Sequence, residues 1–131
     1  REVWEALGCQ VQQMSPEAHD SAFAAVSHLP HLIAFALVNG IAAQPNGQDF
    51  LSLAGPGFRD FTRIAASEPK MWRDILLANK QELIEQTQLF QQTLQAMQAL
   101  IESGNGEALE ELIAQASQVR ADWRMGSRKA A

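Results

Sequence analysis

Pro30-His31-Leu32-Ile33-Ala34-Phe35-Ala36-Leu37-Val38-Asn39-Gly40-Ile41 is the stretch whose reading decides the fold. Leu32, Ile33, Phe35, Ala36, Leu37, Val38 and Ile41 are apolar on nearly every side of a helix, the pattern of a helix buried all round. This predicts the central core helix of an all-α domain. Upstream, Ser15-Pro16-Glu17 is a start signal, because Ser caps free amide groups and Pro is tolerated at the first helical position. A helix is therefore expected from Pro16, continued by Ala18, Ala22, Ala25 and Val26. Ser27-His28-Leu29-Pro30 repeats the cap-and-proline arrangement, which predicts a break or kink there.

Working outward, Ala43-Gln44-Pro45-Asn46-Gly47-Gln48 reads as a loop and Gly55-Pro56-Gly57 as a second break, with at most one short helix between them. Phe58, Phe61, Ile64 and Ala65 recur at helical spacing. Ser67-Glu68-Pro69 then starts a helix carrying Met71, Trp72, Ile75 and Leu76, with Ser67 as the expected cap. Asn79-Lys80-Gln81-Glu82 has the form of a capping box and launches a long amphipathic helix through Leu83, Ile84, Phe90, Leu94, Met97, Leu100 and Ile101. Ser103-Gly104-Asn105-Gly106 turns the chain, and Leu109, Leu112, Ile113, Ala116, Val119 and Trp123 return, giving an antiparallel helical hairpin. The expected fold is all-α, about six helices with this long C-terminal hairpin.

The first residues differ. Glu2 to Leu7 reads as the tail of a helix already under way, as in a piece of a longer protein. Gly8 ends it, and Cys9 to Met14 alternates in the period of a short strand. Residues 1–14 are thus expected to be a remnant of a preceding α/β domain and residues 15–131 the helical domain.

With 131 residues, 47% hydrophobic, 19% charged and a mean hydropathy of -0.15, the chain has the composition of a globular domain. No apolar run approaches the roughly 18 residues of a membrane span, so no membrane partner is expected. A net charge of -5 argues against a nucleic-acid partner, which needs several phosphates neutralised at once. The lone Cys9 forms no internal disulfide, which fits a cytoplasmic location. Nine glutamines between Gln81 and Gln118 leave the hairpin's non-core face polar but weakly charged, suited to solvent or to a helix of a second subunit.

Two constellations carry chemistry. His19, His28 and His31 lie close in sequence, and imidazoles on helices ligate metals, but no Cys pair or His-Glu-x-x-His accompanies them; helix-end histidines are the alternative, and no metal is expected. In Gly57-Phe58-Arg59-Asp60-Phe61-Thr62-Arg63, followed by Trp72-Arg73-Asp74, Arg59 and Arg63 can share a helix face and Asp60 can pair with Arg63. The guanidinium fork suits a carboxylate, so an anion site is one reading and a solvated face with internal ion pairs the other. No glycine-rich dinucleotide turn or P-loop occurs.

Trp4 to Gly8, Met14-Ser15-Pro16-Glu17-Ala18-His19-Asp20, Ser27-His28-Leu29-Pro30-His31, Gly57 to Ala65 and Met71-Trp72-Arg73-Asp74 stand in the order and spacing of the prephenate dehydrogenase family, which residues 4 to 80 resemble. The hairpin after Lys80 is similar in kind. The resemblance implies a Rossmann-type domain of the same chain binding NAD or NADP, and a helical domain that closes the substrate cleft and forms a homodimer. It implies oxidative decarboxylation of prephenate, or of arogenate: hydride leaves the hydroxyl-bearing ring carbon, carbon dioxide departs, and the ring becomes aromatic as 4-hydroxyphenylpyruvate forms.

By motif position, Arg63 binds a substrate carboxylate and His31 lies near the substrate or in an ionic network with Asp60. Trp72 and the turn ending at Gly57 lie at the cleft or reach it across the dimer. The catalytic histidine belongs to the other domain, so no catalytic or cofactor-binding residue is expected here, His19 and His28 are structural, and the isolated chain is expected to be inactive. Gly55-Pro56-Gly57 departs from a three-glycine family pattern by a residue without an amide hydrogen. The rival reading is a helical dimerisation module with no small-molecule site.

Overall fold

The computed structural model describes residues 13–125, and among them every regular element is helical. In chain order these are α1 (Pro16–Phe23), a π turn (Ala24–His28), α2 (Leu29–Ala42), α3 (Gly47–Ser52), α4 (Pro56–Thr62) with a 3-10 turn (Arg63–Ala65), α5 (Pro69–Ala78), α6 (Lys80–Ser103) and α7 (Gly106–Asp122). The expected helix tail and strand before residue 13 lie outside the described residues; Gln13 and Met14 carry no regular structure. Residues Ser15–Leu89 form one compact unit, and the chain from Phe90 onward belongs to a second.

The N-terminus of α1 is as its residues predict. The Ser15 hydroxyl accepts from the Ala18 amide at 3.1 Å, and Pro16 occupies the first helical position. At Ser27–Pro30, where a break or kink is expected, the helix does not end, but its regular hydrogen bonding is interrupted by the π turn. Pro30 cannot donate to the carbonyl four residues back, and its ring would collide with that carbonyl in a regular helix. The chain widens instead: the Leu29 amide donates to the Ala24 carbonyl, five residues back, and the extra residue in that turn makes room for the proline.

The outcome is one continuous 27-residue helix, Pro16–Ala42, with a mean hydropathy of 1.6 over its most apolar window. By length and composition it could cross a membrane, contrary to the expectation that no apolar run approaches that length. A core helix of a protein assembly passes the same test. Its burial also departs from expectation, since only Ala24, Leu29 and Ala34 along it are buried among the described residues.

Two start signals act differently from their sequence form. At α5 the cap is Glu68, not Ser67: Pro69 sits at the first helical position, and the Glu68 carboxylate accepts from the Met71 amide at 2.6 Å. Ser67 is displaced by one residue, and its hydroxyl donates to the Ile64 carbonyl. At α6 the capping box does not form. Asn79 donates its side-chain amide to the Asp20 carbonyl at 2.8 Å, and the Glu82 carboxylate accepts from the Ser21 hydroxyl at 3.0 Å. Both side chains serve the contact with α1 rather than the end of their own helix.

Pro56 likewise opens α4, with Gly55 extended as its cap residue. The turn between α6 and α7 is as expected: Gly104 takes φ +67, and Asn105 caps α7 by accepting from the Ala108 amide at 3.2 Å. Left-handed backbone of this kind favours glycine. Within the second unit, Met97 of α6 and Leu112, Ala116, Val119 and Trp123 of α7 line an open apolar groove of about 670 Å³.

Candidate functional site

The first unit brings α2 and α5 together around one indole. Trp72 is half-buried in the first turns of α5, and its ring stacks on that of His31 at 3.6 Å between centroids with 16° between planes. His28 and Phe35, one turn to either side of His31 on the long helix, each meet Trp72 edge-on at 6.3 Å. Three rings from one helix therefore fix a fourth, an arrangement set by spacing at i, i+3 and i+7. Beside it lies a cavity of about 370 Å³, whose lining includes Phe35, Val38, Asn39, Trp72, Arg73 and Leu76.

The two histidines in this cluster hold opposite tautomers. His31 Nδ1 lies 2.8 Å from the Ser27 carbonyl oxygen, which only accepts, so Nδ1 carries a proton. His28 Nδ1 lies 3.4 Å from Asn79 Nδ2. The Asn79 amide group is oriented by its bond to the Asp20 carbonyl, so its second hydrogen faces His28 Nδ1, which must accept. The His28 proton therefore sits on Nε2. Burial holds the His28 pKa below its ordinary value, helped by the nearby His31 and His19 and opposed by Asp20.

The remaining expected site residues are not joined to this cluster. Arg63 lies in the 3-10 turn after α4, exposed, with no carboxylate in ion-pair range among the described residues. Asp60 takes its neighbour Arg59 at 3.2 Å rather than Arg63 or His31. Adjacent pairing of this kind on an exposed face is worth little, and it leaves the Arg63 guanidinium available. Gly57 is exposed in the first turn of α4 and has open space where a Cβ would be, so nothing in the described chain itself requires glycine there.

His19 is paired with Asp20 at 3.5 Å and lies against Phe23 at 4.4 Å. No three His, Cys, Asp or Glu side chains converge on a metal position among the described residues. Among the described residues no strand leads into a glycine-rich turn. Sequence reasoning missed Phe35, read only as core, and Asn79, read only as a helix cap. A side chain's tertiary partner has no signature in local spacing.

Residues 15–115 match the family model described as prephenate dehydrogenase, dimerization domain. Among curated proteins the chain is similar to a cyclohexadienyl dehydrogenase of Zymomonas mobilis, 34% identical over 121 residues, covering 91% of this chain and 41% of that protein. It is also similar to a prephenate dehydrogenase of Bacillus subtilis, 38% identical over 98 residues, covering 74% and 26%. Of solved structures, an Aquifex aeolicus prephenate dehydrogenase in complex with hydroxyphenyl propionate and NAD+ superposes with a TM-score of 0.84 at 42% identity, covering 92% of this chain and 43% of that one. A Synechocystis arogenate dehydrogenase gives a TM-score of 0.85 at 28% identity, covering 94% and 45%. The chain thus spans less than half the length of each of these relatives.

Proposed function

This chain belongs to the prephenate dehydrogenase dimerization-domain family, and from that premise we propose that it is the C-terminal, substrate-closing and dimer-forming domain of an NAD- or NADP-dependent prephenate or arogenate dehydrogenase. The match over residues 15–115 carries the reading. The parent protein would oxidise and decarboxylate prephenate to 4-hydroxyphenylpyruvate in the cytoplasm. Residues 1–14 would belong to the preceding Rossmann-type domain, which would hold the dinucleotide and the catalytic histidine.

In this reading the chain's own residues bind and orient. Arg63 presents a planar fork to a substrate carboxylate, a geometry that a lysine would not reproduce. The outer surface of the stacked His31–Trp72 pair would supply a flat wall beside the planar ring of the product, and the open backbone at Gly57 would allow close approach. Asp60, one turn before Arg63, is engaged with Arg59 and would have to exchange that partner to act on the substrate site. No proton-transfer group for the ring hydroxyl is proposed here, so the isolated chain would be inactive. Neither nucleic acid nor membrane is proposed as a partner.

The test is reduction of NAD+ or NADP+ driven by prephenate or arogenate in the full-length parent protein, wild type beside Arg63→Ala. Losing a charged hydrogen bond to a bound anion costs about 2–5 kcal/mol, so KM should rise roughly thirty-fold or more while Tm stays put. The many exposed large apolar side chains, among them Val26, Leu53 and Val119, favour a second reading, a helical dimerisation module without a small-molecule site. That reading requires Arg63→Ala to leave the kinetics untouched.

A further inference from the structure

Trp72 stacks on His31, but a stack between two half-buried rings fixes neither ring's position by itself. What limits Trp72 on another side is the His28 ring, set nearly perpendicular to it, and what limits His28 is Asn79. Asn79 closes α5 with φ -110 and ψ 40, and it spends neither of its amide hydrogens on its own helices. One goes to the Asp20 carbonyl of α1 and the other to His28 Nδ1. The link therefore runs from α1 through Asn79 to His28 and on to Trp72. It is anchored at one end by a main-chain carbonyl, which has little freedom.

We infer that Asn79 is a positioning residue for the candidate substrate site: its side-chain amide clamps the His28 ring in the Nε2–H tautomer, and that ring holds Trp72 in its stack on His31. The inference rests on the reading that Trp72 and His31 face the substrate. Asn79 itself touches no substrate. The NH2 group of Asn79 donates to Asp20 and to His28, both outside α6, so this side of its side chain serves the tertiary contact. Glu82, the other half of the unformed capping box, ties the same α1 segment through Ser21, so the clamp is braced on both sides of the α5–α6 junction.

The expected behaviour of Asn79→Ala in the full-length protein is a KM for prephenate raised roughly three- to tenfold, the size of coupling between side chains in contact, with kcat little changed. In a Trp72→Ala background the same change should have no further effect on KM. Nitrogen-15 spectra of histidine-labelled protein should show His28 as the Nε2–H tautomer in the wild type and a mixture in Asn79→Ala. Because Asn79→Ala also alters a helix junction, His28→Leu attacks the same contact from the other side and should raise KM to a similar degree, without adding to Asn79→Ala.

A merely structural Asn79 gives a lower Tm with an unmoved KM, and that result overturns the inference. So does a KM effect that persists undiminished without Trp72. If Trp72→Ala and Arg63→Ala both leave KM unchanged, the substrate-site reading fails and takes the inference with it. If those two raise KM and Asn79→Ala does not, the inference alone fails.

Discussion

Gly47 is the residue with least freedom to change. A Cβ there would lie 2.5 Å from the Ile41 carbonyl oxygen and 2.8 Å from that of Ala42, both backbone atoms that no rotamer can move aside. Gly47→Ala should therefore destabilise by about 1–3 kcal/mol, the usual cost of overpacking, read as a lower denaturation midpoint at unchanged m-value. Gly57, with nothing near its Cβ position, offers the contrast, since Ala there has no clash within the described chain. As turn residues the two read alike in the sequence, and only the resemblance set Gly57 apart, by placing its turn at the cleft. Spacing could not tell their steric demands apart, because what distinguishes them is the return of α3 against the end of α2, a contact between segments. Ser15, by comparison, was legible as a cap because its acceptor role is completed three residues away.

At the scale of elements, period and punctuation were readable and side-chain allegiance was not. The long helix, the helices around Trp72 and the turn at Gly104 follow from apolar spacing, prolines and glycines. The start of α5 was misplaced by one residue, since Ser67 is the stronger cap by type but Pro69 fixes which residue precedes the first turn. This yields a direct comparison. Glu68→Ala removes the carboxylate that accepts from Met71 and should cost about 1 kcal/mol; Ser67→Ala should cost less, because its hydroxyl serves only the Ile64 carbonyl. Urea denaturation of the two variants decides it, and equal losses would return the cap to Ser67. The box at Asn79 and Glu82 failed for a different reason: acceptors and donors on α1 compete for the same side chains, and local propensity yields to them.

For the whole molecule, the surface is the informative quantity. Among the described residues no large side chain is fully buried, and Phe23, Val26, Leu37, Ile84, Leu94 and Ile113 are among those exposed. The all-round apolar pattern of the long helix predicted a helix buried on every side, whereas only Ala24, Leu29 and Ala34 along it are buried among the described residues; local spacing says which side chains are apolar and not what covers them. Stability that depends on cover by a second subunit follows mass action. The parent protein's Tm should fall as it is diluted through the dissociation range of its dimer; a Tm independent of concentration across that range would count against assembly through these faces. The π turn acquires its significance at this scale as well. One extra residue offsets the two halves of the long helix by about 100° in azimuth, so α1 can present Asp20 and Ser21 to the α5–α6 junction while α2 presents His31 and Phe35 to Trp72. The turn works as a phase shifter between two sets of appointments. Substitutions within Ala24–His28 leave that phase alone, whereas a single-residue deletion would give a smoother helix in which one set is always missed.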